Sequence, residues 1–451
     1  MQKVMFAKVE LWLVSLLAVL GLIAMMVFGA QVLKAERYKK AGPVAQTARS
    51  VAQLPALVSN VLGEDKAIRI FGEDRFAGRP AGWTFPNGKP NPPLPGYVLL
   101  SRYDADILRN KIELVRLGAF NNLHEWVQNA AAELTDVRRP STLANYNNWD
   151  NAHFRQLHPV LMPNGDIITK DHYSPMFRLD ACTRRLWTQD AIMFHHSTEM
   201  DADGNLWAPA VTEPSAVEGV PDDFRDDTVV QVSHDGDILF QRSIVQLLID
   251  NGLSMTMFSN DHYYPDPLHL NDVEPVLADG PYWKRGDVFL NLRNLSMVML
   301  YRPSTDSIVW SKTGPWTSQH DVDIVDDHRI RVYNNDVQDR GGKPVYDGYS
   351  DIVTYDFATD SVTREMVDVF EREKIMTFHA GLHTDLPGGV TMIEDSRDAR
   401  FMIVSADGKV LADFLNRSAD GHIYQLGWSR YIEQDYGDRV LAAVTKVDCN
   451  E

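Results

Sequence analysis

Short apolar runs separated by polar turns dominate the chain from residue 97 onward. Runs at 97–100, 112–117 and 228–232 are rich in β-branched and aromatic residues and are bounded by Gly, Asp, Asn or Pro, a pattern typical of short strands. Helical periodicity predicts few helices in this part, at 122–134 and 243–251. Because no helix separates successive strands, the pattern excludes a parallel α/β sheet.

The turns between these runs recur at a regular distance. Gly165, Gly204, Gly286 and Asp327 mark turns about 40 residues apart, or about twice that distance. A period of this length with four short strands per unit is typical of a propeller blade. With 97–150 counted as one unit, the sequence predicts an all-β, six-bladed β-propeller.

An uncharged segment near the N-terminus predicts a membrane helix. Residues 11–33 carry no charge and are long enough to cross a bilayer, and Trp12 and Tyr38 flank them as interface residues do. A cleaved signal peptide is the alternative, but Phe28 stands where a small residue is expected. We expect a membrane anchor at 1–40, a helical stalk and Pro/Gly-rich linker at 41–94, and the propeller domain at 95–451.

Composition and charge narrow the classes of partner. The net charge is -18, from 44 Lys and Arg against 62 Asp and Glu, with no basic block, so nucleic acid is not an expected partner. Any anion site must therefore be a local pocket of positive charge. The two cysteines, Cys182 and Cys449, favour two unpaired thiols over a single disulfide.

Histidines recur ahead of the repeated turns. They are His158, His196, His269, His320 and His379. In a radial fold, equivalent positions of successive blades meet at one mouth of the central channel. Turn histidines that bond to the backbone are the structural alternative, and a histidine ring that binds a transition metal is another.

Two of these histidines lie in richer contexts. The first is His269-Leu270-Asn271-Asp272, and the second is Gln319-His320-Asp321. The strand Tyr333-Asn334-Asn335-Asp336 and Arg340 follow the second. In this order the elements resemble the bacterial arylsulfate sulfotransferases over residues 95–432. Those enzymes are six-bladed propellers that use no nucleotide sulfate donor.

The resemblance implies a reaction and a set of roles. The family moves a sulfuryl group from an aryl sulfate to a phenolic acceptor through a sulfated histidine. His269 and His320 would bind the sulfuryl group or transfer protons, Arg340 would clamp it, and His379 would be the nucleophile, with His383 as the alternative. Candidate substrate-binding residues are His196, Asn271, Asn334 and His383. No cofactor and no metal ligand are expected.

The resemblance also bears on location. It places the propeller in the periplasm, held by a single-pass helix in the bacterial inner membrane. The excess of Lys and Arg on the C-terminal side of the helix indicates the opposite orientation. Two other functions stay open, a metal-binding propeller enzyme and a silent propeller that serves as an interaction scaffold. Convergence of His269, His320, Arg340 and His379 in one channel mouth would favour the transferase.

Overall fold

The computed structural model consists of two units, residues 1–66 and 67–451. It describes residues 10–37, 42–62, 75–86, 88, 90, 94–139, 141, 143–144, 148–259, 263–340 and 344–449. The sequence-based bounds at 1–40, 41–94 and 95–451 stay a prediction.

Two helices make up the described part of the first unit, α1 (Leu11–Arg37) and α2 (Pro43–Leu62). Within α1, the segment Leu11–Lys34 has a mean hydropathy of 2.7 and none of its most apolar stretch is buried. It is long and apolar enough to span a membrane, as an anchor or as a signal sequence. The helix α2 coincides with an amphipathic stretch in the sequence.

Antiparallel strands build the second unit. The first sheet has the order β27 (Arg430–Ile432), β2 (Tyr97–Asp104), β3 (Arg109–Arg116) and β4 (Asn121–Trp126). Its edge strand β27 comes from the end of the chain, and Tyr97 pairs with Ile432. This pairing joins the beginning and the end of the strand-rich unit, as in a closed propeller.

The second sheet contains eight strands. They are β5 (Val160–Leu161), β6 (Ile167–Thr169), β7 (Ser174–Leu179), β8 (Arg185–Phe194), β9 (Glu199–Met200), β10 (Leu206–Thr212), β11 (Asp226–Val232) and β12 (Ile238–Ser243). The two halves are continuous because β8 pairs with β10 at Phe194↔Ala210 and Met193↔Val211.

The remaining strands form three sheets and a ribbon. One sheet consists of β13 (Leu270–Pro275), β14 (Val288–Leu292), β15 (Met297–Arg302) and β16 (Ser307–Thr313). The next consists of β17 (His320–Ile324), β18 (Arg329–Asn334), β21 (Asp351–Asp356) and β22 (Ser361–Glu365), with the ribbon β19 (Val337–Asp339) and β20 (Pro344–Tyr346) inserted. The last consists of β23 (Leu382–Leu386), β24 (Val390–Asp395), β25 (Arg400–Val404), β26 (Val410–Leu415) and β1 (Gly82–Thr84).

The mostly β, propeller-like prediction is confirmed, but not as six separate blades. Among the described residues, four sheets have the four or five strands of a single blade. The eight strands β5–β12, enough for two blades, form one continuous sheet because β8 pairs with β10. The sequence repeat does not reveal such a join, because a turn signal is the same whether or not the strands after it pair with the previous sheet.

Short helices cap the sheets: α3 (Ala130–Glu133), α4 (Ile244–Asp250), α5 (Met255–Phe258), α6 (Val367–Glu373) and α7 (Gln434–Val444), with single 3₁₀ turns at Arg293–Leu295 and Pro303–Thr305. The helix predicted at 243–251 is confirmed. The helix predicted at 122–134 is wrong in its first half, where β4 pairs with β3 and buries Trp126, because sheet pairing and burial outweigh helical spacing. The expected linker 41–94 contains α2 and β1.

The prediction of two unpaired thiols is wrong. Cys182 and Cys449 form a disulfide with a Cα–Cα distance of 5.3 Å. The helix α7 brings the chain end to the β7–β8 turn, where Val444 packs in one core cluster with Ala181. The two cysteines are 267 residues apart in sequence, so only this packing brings them together.

Candidate active site

A cavity of about 930 Å³ opens among the loops that precede the first strands of several sheets. Its lining includes five histidines and four arginines: His172, His196, His269, His320, His379, Arg155, Arg225, Arg293 and Arg397. Four of the five histidines expected at the channel mouth, His196, His269, His320 and His379, therefore do converge, whereas His158 is not among the lining residues. A volume of this size accommodates a drug-sized ligand.

The histidine rings lie in mutual contact on one wall. The ring centroid of His196 is 4.3 Å from that of His172 and 4.8 Å from that of His269. His158, His196 and His269 all adopt left-handed backbone conformations, with φ of 41°, 52° and 53°. This conformation is unfavourable for residues with a Cβ, and such strain concentrates at functional sites. The recurrence of histidine ahead of the turns thus corresponds to a shared backbone geometry in these three positions.

The cavity is strongly cationic although the chain is acidic. Asp339 is the one carboxylate among its described lining residues. Arg155 is paired with Asp171 at 3.0 Å, and Arg225 with Asp266 at 2.9 Å. The lining is thus the local pocket of positive charge that an anion requires in a chain with a net charge of -18.

Two of the arginines have no carboxylate partner among the described residues. Arg293 donates to Asn294 Oδ1 at 2.9 Å, while its buried Nε has no hydrogen-bond partner in the described part. The guanidiniums of Arg293 and Arg397 lie 6.0 Å and 5.6 Å from the ring centroid of Phe378. Both positive charges therefore flank the residue that directly precedes His379.

His379 is exposed to the cavity. The protein that surrounds its ring, together with the charges of Arg397 and Arg293, lowers the pKa of His379 to about 4. The imidazole is consequently neutral near pH 7, which leaves one ring nitrogen with a free lone pair. A neutral imidazole beside two guanidiniums can attack an anionic ester that those guanidiniums bind.

His320 lies at the cavity wall with both ring nitrogens occupied. Its Nδ1 is 2.7 Å from Asn335 Oδ1, and its Nε2 accepts the backbone N–H of Ala380 at 3.1 Å. These partners fix the neutral tautomer with the proton on Nδ1, and burial lowers the pKa of His320 well below its ordinary value. Asn335 Nδ2 in turn donates to the carbonyls of Thr377 and Ala380, both at 2.9 Å.

His269 belongs to a chain of polar contacts. Its Nδ1 is 2.7 Å from Asp266 Oδ2, and Arg225 donates to the same oxygen at 2.9 Å. Burial acts to raise the pKa of Asp266, but the hydrogen bond from His269 and the charges of His269 and Arg225 outweigh it and lower that pKa. An ionised Asp266 orients the ring and leaves Nε2 of His269 free for proton transfer.

Aromatic side chains provide the apolar part of the cavity. They are Tyr173, Tyr264, Phe378 and Trp428. The buried ring of Trp428 lies 6.0 Å from that of His320 and 6.2 Å from that of His196. The arrangement of guanidiniums next to aromatic surface suits a ligand that combines an anionic group with an aryl group.

Four of the sequence-predicted residues do not line the cavity. Arg340 is half exposed and donates to Asp347 at 3.0 Å. Asn271 is buried and donates to the carbonyl of Gln319 at 2.8 Å. Asn334, also buried, donates to Asp351 at 2.8 Å and accepts the N–H of Thr317 at 2.8 Å. These asparagines connect strands and loops of the scaffold.

His383 is the fourth. It is fully buried on β23, with Nδ1 2.8 Å from Asp321 Oδ2. It forms, with Asp321 and Asp323, one of two groups among the described residues that could hold a metal ion; the other is Asp326, Asp327 and His328. Neither group lines the cavity.

Sequence reasoning missed several residues of the site. Arg293 and Arg397 follow strands in turns that carry no motif, so no local signal indicates them. Asp266 stands three residues before His269, a spacing that could have indicated an orienting carboxylate. The strand Tyr333-Asn334-Asn335-Asp336 contains the partner of His320, Asn335, but the sequence-based prediction names its neighbour Asn334 as the substrate-binding residue.

This fold and this cavity define a β-propeller-like protein with a cationic, histidine-lined cavity. The chain belongs to the arylsulfotransferase (ASST) family, whose model matches residues 158–417. No curated protein matches it. Among solved structures, it is similar to a protein of unknown function from Bacteroides caccae (12% identity, 75% of this chain and 99% of that one, TM-score 0.47). It is also similar to virginiamycin B lyase from Staphylococcus aureus (11% identity, 58% and 70%, TM-score 0.34).

Proposed function

We propose that this protein transfers a sulfuryl group from an aryl sulfate to a phenolic acceptor through a sulfated His379. The observation that carries the proposal is the position of His379, exposed in a cavity beside Arg293 and Arg397, neither of which forms a close ion pair with a described carboxylate. Membership of the arylsulfotransferase family supports the same reaction class. Neither a nucleotide nor a metal has a part in this mechanism.

In the first step, a neutral ring nitrogen of His379 attacks the sulfur of the donor. The N–S bond forms as the S–O bond to the aryl group breaks, and the phenolate leaves. Arg293 and Arg397 bind the sulfuryl oxygens and stabilise the charge that develops in the transition state. They take the clamping role that the resemblance suggested for Arg340, which donates to Asp347 outside the cavity.

In the second step, the acceptor hydroxyl attacks the same sulfur. The new O–S bond forms, the N–S bond breaks, and His379 returns to its neutral state. In this proposal His269, which Asp266 orients, starts the cycle with a proton on Nε2 and gives it to the phenolate in the first step. In the second step the acceptor proton passes to Nε2 and restores it. Each cycle thus returns all residues to their starting protonation.

The other predicted residues receive supporting roles in this proposal. His196 lines the cavity and contacts the substrate, and its ring is neutral because burial lowers its pKa. His320, with both nitrogens occupied, positions the backbone that carries His379. Asn271, Asn334 and His383 hold the strands beneath the cavity.

Mass spectrometry of the intact chain tests this function. Incubation with a chromogenic aryl sulfate at neutral pH should add one sulfuryl group, and fragmentation of the peptide 375–397 should assign it to His379 and not to His383. His379→Ala should abolish both the adduct and phenol release. His234→Ala, at an exposed position, should change neither. Transfer without an adduct, or an adduct that persists in His379→Ala, would exclude the mechanism.

We further propose that the strand-rich unit is six-bladed. The eight-stranded sheet contains two successive groups of four antiparallel strands, β5–β8 and β9–β12, joined by only two residue pairs. Counted as two blades, they complete six with the four separate sheets. An experimental structure with a continuous, evenly curved eight-stranded sheet would contradict this count.

We also propose that α1 anchors the protein in the bacterial inner membrane with the propeller in the periplasm. The apolar helix Leu11–Lys34 supports an anchor, and the Cys182–Cys449 disulfide supports an oxidising compartment. The excess of basic residues after the helix opposes this orientation. Protease added to intact spheroplasts should digest the propeller; protection until the membrane is opened would place it in the cytoplasm.

A further inference from the structure

A second cluster of polar side chains lies outside the cavity, on neighbouring first strands of two sheets. Asp321 and Asp323 lie on β17, and His383 lies on the adjacent strand β23. Ligand atoms of the three residues all lie within 4.8 Å of one another. Asp323 exposes 36% of its side chain, whereas that of Asp321 is 11% exposed and that of His383 is fully buried. The cluster is thus enclosed on one side and open to solvent through Asp323.

The hydrogen bonds of His383 orient a free lone pair into this cluster. Its Nδ1 lies 2.8 Å from Asp321 Oδ2, so the Asp321 carboxylate can accept a hydrogen bond from Nδ1 and leave the lone pair on Nε2. The buried Nε2 has no hydrogen-bond partner in the described part of the chain and lies 3.7 Å from Asp323 Oδ2. Two lone-pair-bearing atoms that face each other at this distance repel unless a cation lies between them.

The surroundings add negative charge. Two nearby carboxylates, Asp272 on the neighbouring strand β13 and Glu199 on β9, interact electrostatically with Asp323. Glu274, also on β13, interacts with all three. Arg430, the nearby cation, is engaged by Glu199 at 2.7 Å and by the carbonyl of Thr198 at 2.7 Å. Asp272 accepts only backbone or hydroxyl donors among the described residues. Carboxylates that are crowded together away from water favour a bound cation among them.

We propose that Nε2 of His383 and the carboxylate of Asp323 bind one divalent transition-metal ion of the Mn²⁺ type, while Asp321 orients the ring. An imidazole together with a carboxylate suits such an ion better than the all-oxygen ligand sets of Ca²⁺ or Mg²⁺. Asp321 completes a carboxylate–histidine–metal arrangement through its hydrogen bond to Nδ1. The ion links β17 to β23. Because β17 begins with His320 and β23 follows His379, the role of the ion is structural, and it does not contact the sulfuryl group.

Titration of the chelator-treated, full-length protein with Mn²⁺ alone, followed by calorimetry and electron paramagnetic resonance, tests the site. We expect one ion per chain. Asp323→Asn and His383→Gln should each weaken binding by at least about tenfold, since loss of even a supporting partner has that effect. Because Asp323 is partly exposed, Asp323→Asn should fold normally. It therefore tests the site even if His383→Gln, a change at a fully buried residue, prevents folding.

Two variants serve as controls. Asp326→Asn/His328→Gln alters the other candidate cluster, which is exposed and already paired with Arg329 at 2.6 Å, and should bind Mn²⁺ as the wild type does. His379→Ala should also bind normally, so that a failure of the sulfotransferase proposal is distinguishable from a failure of this one. Absence of Mn²⁺ binding, or binding unchanged in Asp323→Asn, would overturn the proposal.

Discussion

Nε2 of His320 accepts the backbone N–H of Ala380 at 3.1 Å, one residue after His379. Its Nδ1 faces Asn335, whose amide holds the carbonyls of Thr377 and Ala380. The ring of His320 is therefore committed to the backbone of the 377–380 segment. We therefore propose that His320, which the sequence placed among the sulfuryl-binding groups, positions the proposed nucleophile.

This relationship predicts a non-additive pair of variants. His320→Ala and Asn335→Ala should each lower kcat/KM for aryl sulfate by about 10- to 100-fold, because a small displacement of His379 is costly. The double variant should be about as impaired as the worse single variant, since both residues hold the same segment. Steady-state kinetics of the three variants measure this. Losses that multiply would indicate that His320 acts on the substrate by itself.

The Asp266–His269 pair predicts a defect confined to proton transfer. Asp266→Asn should lower turnover by about 10²-fold or more, because the amide no longer fixes the proton on Nδ1 of His269. Single-turnover experiments should show that the histidine adduct still forms with a donor whose leaving phenol is acidic, while transfer to the acceptor slows. Asp201→Asn, in a hairpin turn outside the cavity lining, is the control. An unchanged acceptor step would remove His269 from the proton path.

The arginines predict a charge effect that is specific to the cavity. Arg293→Gln and Arg397→Gln should each reduce kcat/KM by about 10²-fold, as for the loss of one preorganised donor to a transition state. Arg340→Gln should change it less than about twofold, because Arg340 does not line the cavity and its guanidinium donates to Gln338 and Asp347. A large effect at Arg340 with none at Arg293 would restore the role suggested by sequence resemblance.

The depressed pKa of His379 predicts the acidic limb of the pH profile. A lowered histidine pKa means that the neutral, nucleophilic form persists as pH falls and is lost only as pH passes through about 4. Adduct formation in the wild type should therefore continue well below pH 6.5. Arg397→Gln removes a charge that lowers this pKa, so its acidic limb should move to higher pH. A wild-type limb near 6.5 would contradict the assignment of His379 as the attacking group.

The disulfide predicts a redox-dependent stability. Cys182→Ser/Cys449→Ser should lower the free energy of unfolding by about 2–4 kcal/mol, because the crosslink joins the chain end to the β7–β8 turn and restricts the unfolded chain. Denaturant titration with and without reductant measures the difference. The wild type in reductant should match the variant; equal stability of both proteins without reductant would show that the crosslink does not form in solution.

Local residue patterns were enough to indicate the strand-rich fold, the apolar N-terminal helix, the helix at Ile244–Asp250 and the convergence of His269, His320 and His379. These features depend on hydrophobic periodicity, on turn chemistry and on short motifs, all of which operate over a few residues. The same patterns misled at 122–134, because the pairing of β4 with β3 is a long-range contact that outweighs helical spacing.

Long-range packing settled the remaining features. The cavity assembles Arg293, Arg397, His269 and His379 from separate loops, and no sequence spacing encodes which of those loops face one another. The same packing determines that His320 accepts the N–H of Ala380 and that Arg340 pairs with Asp347 beside the β19–β20 ribbon. It also places Cys449 next to Cys182. Each of these outcomes depends on the stacking of whole sheets, and that stacking is determined by buried contacts between residues tens to hundreds of positions apart.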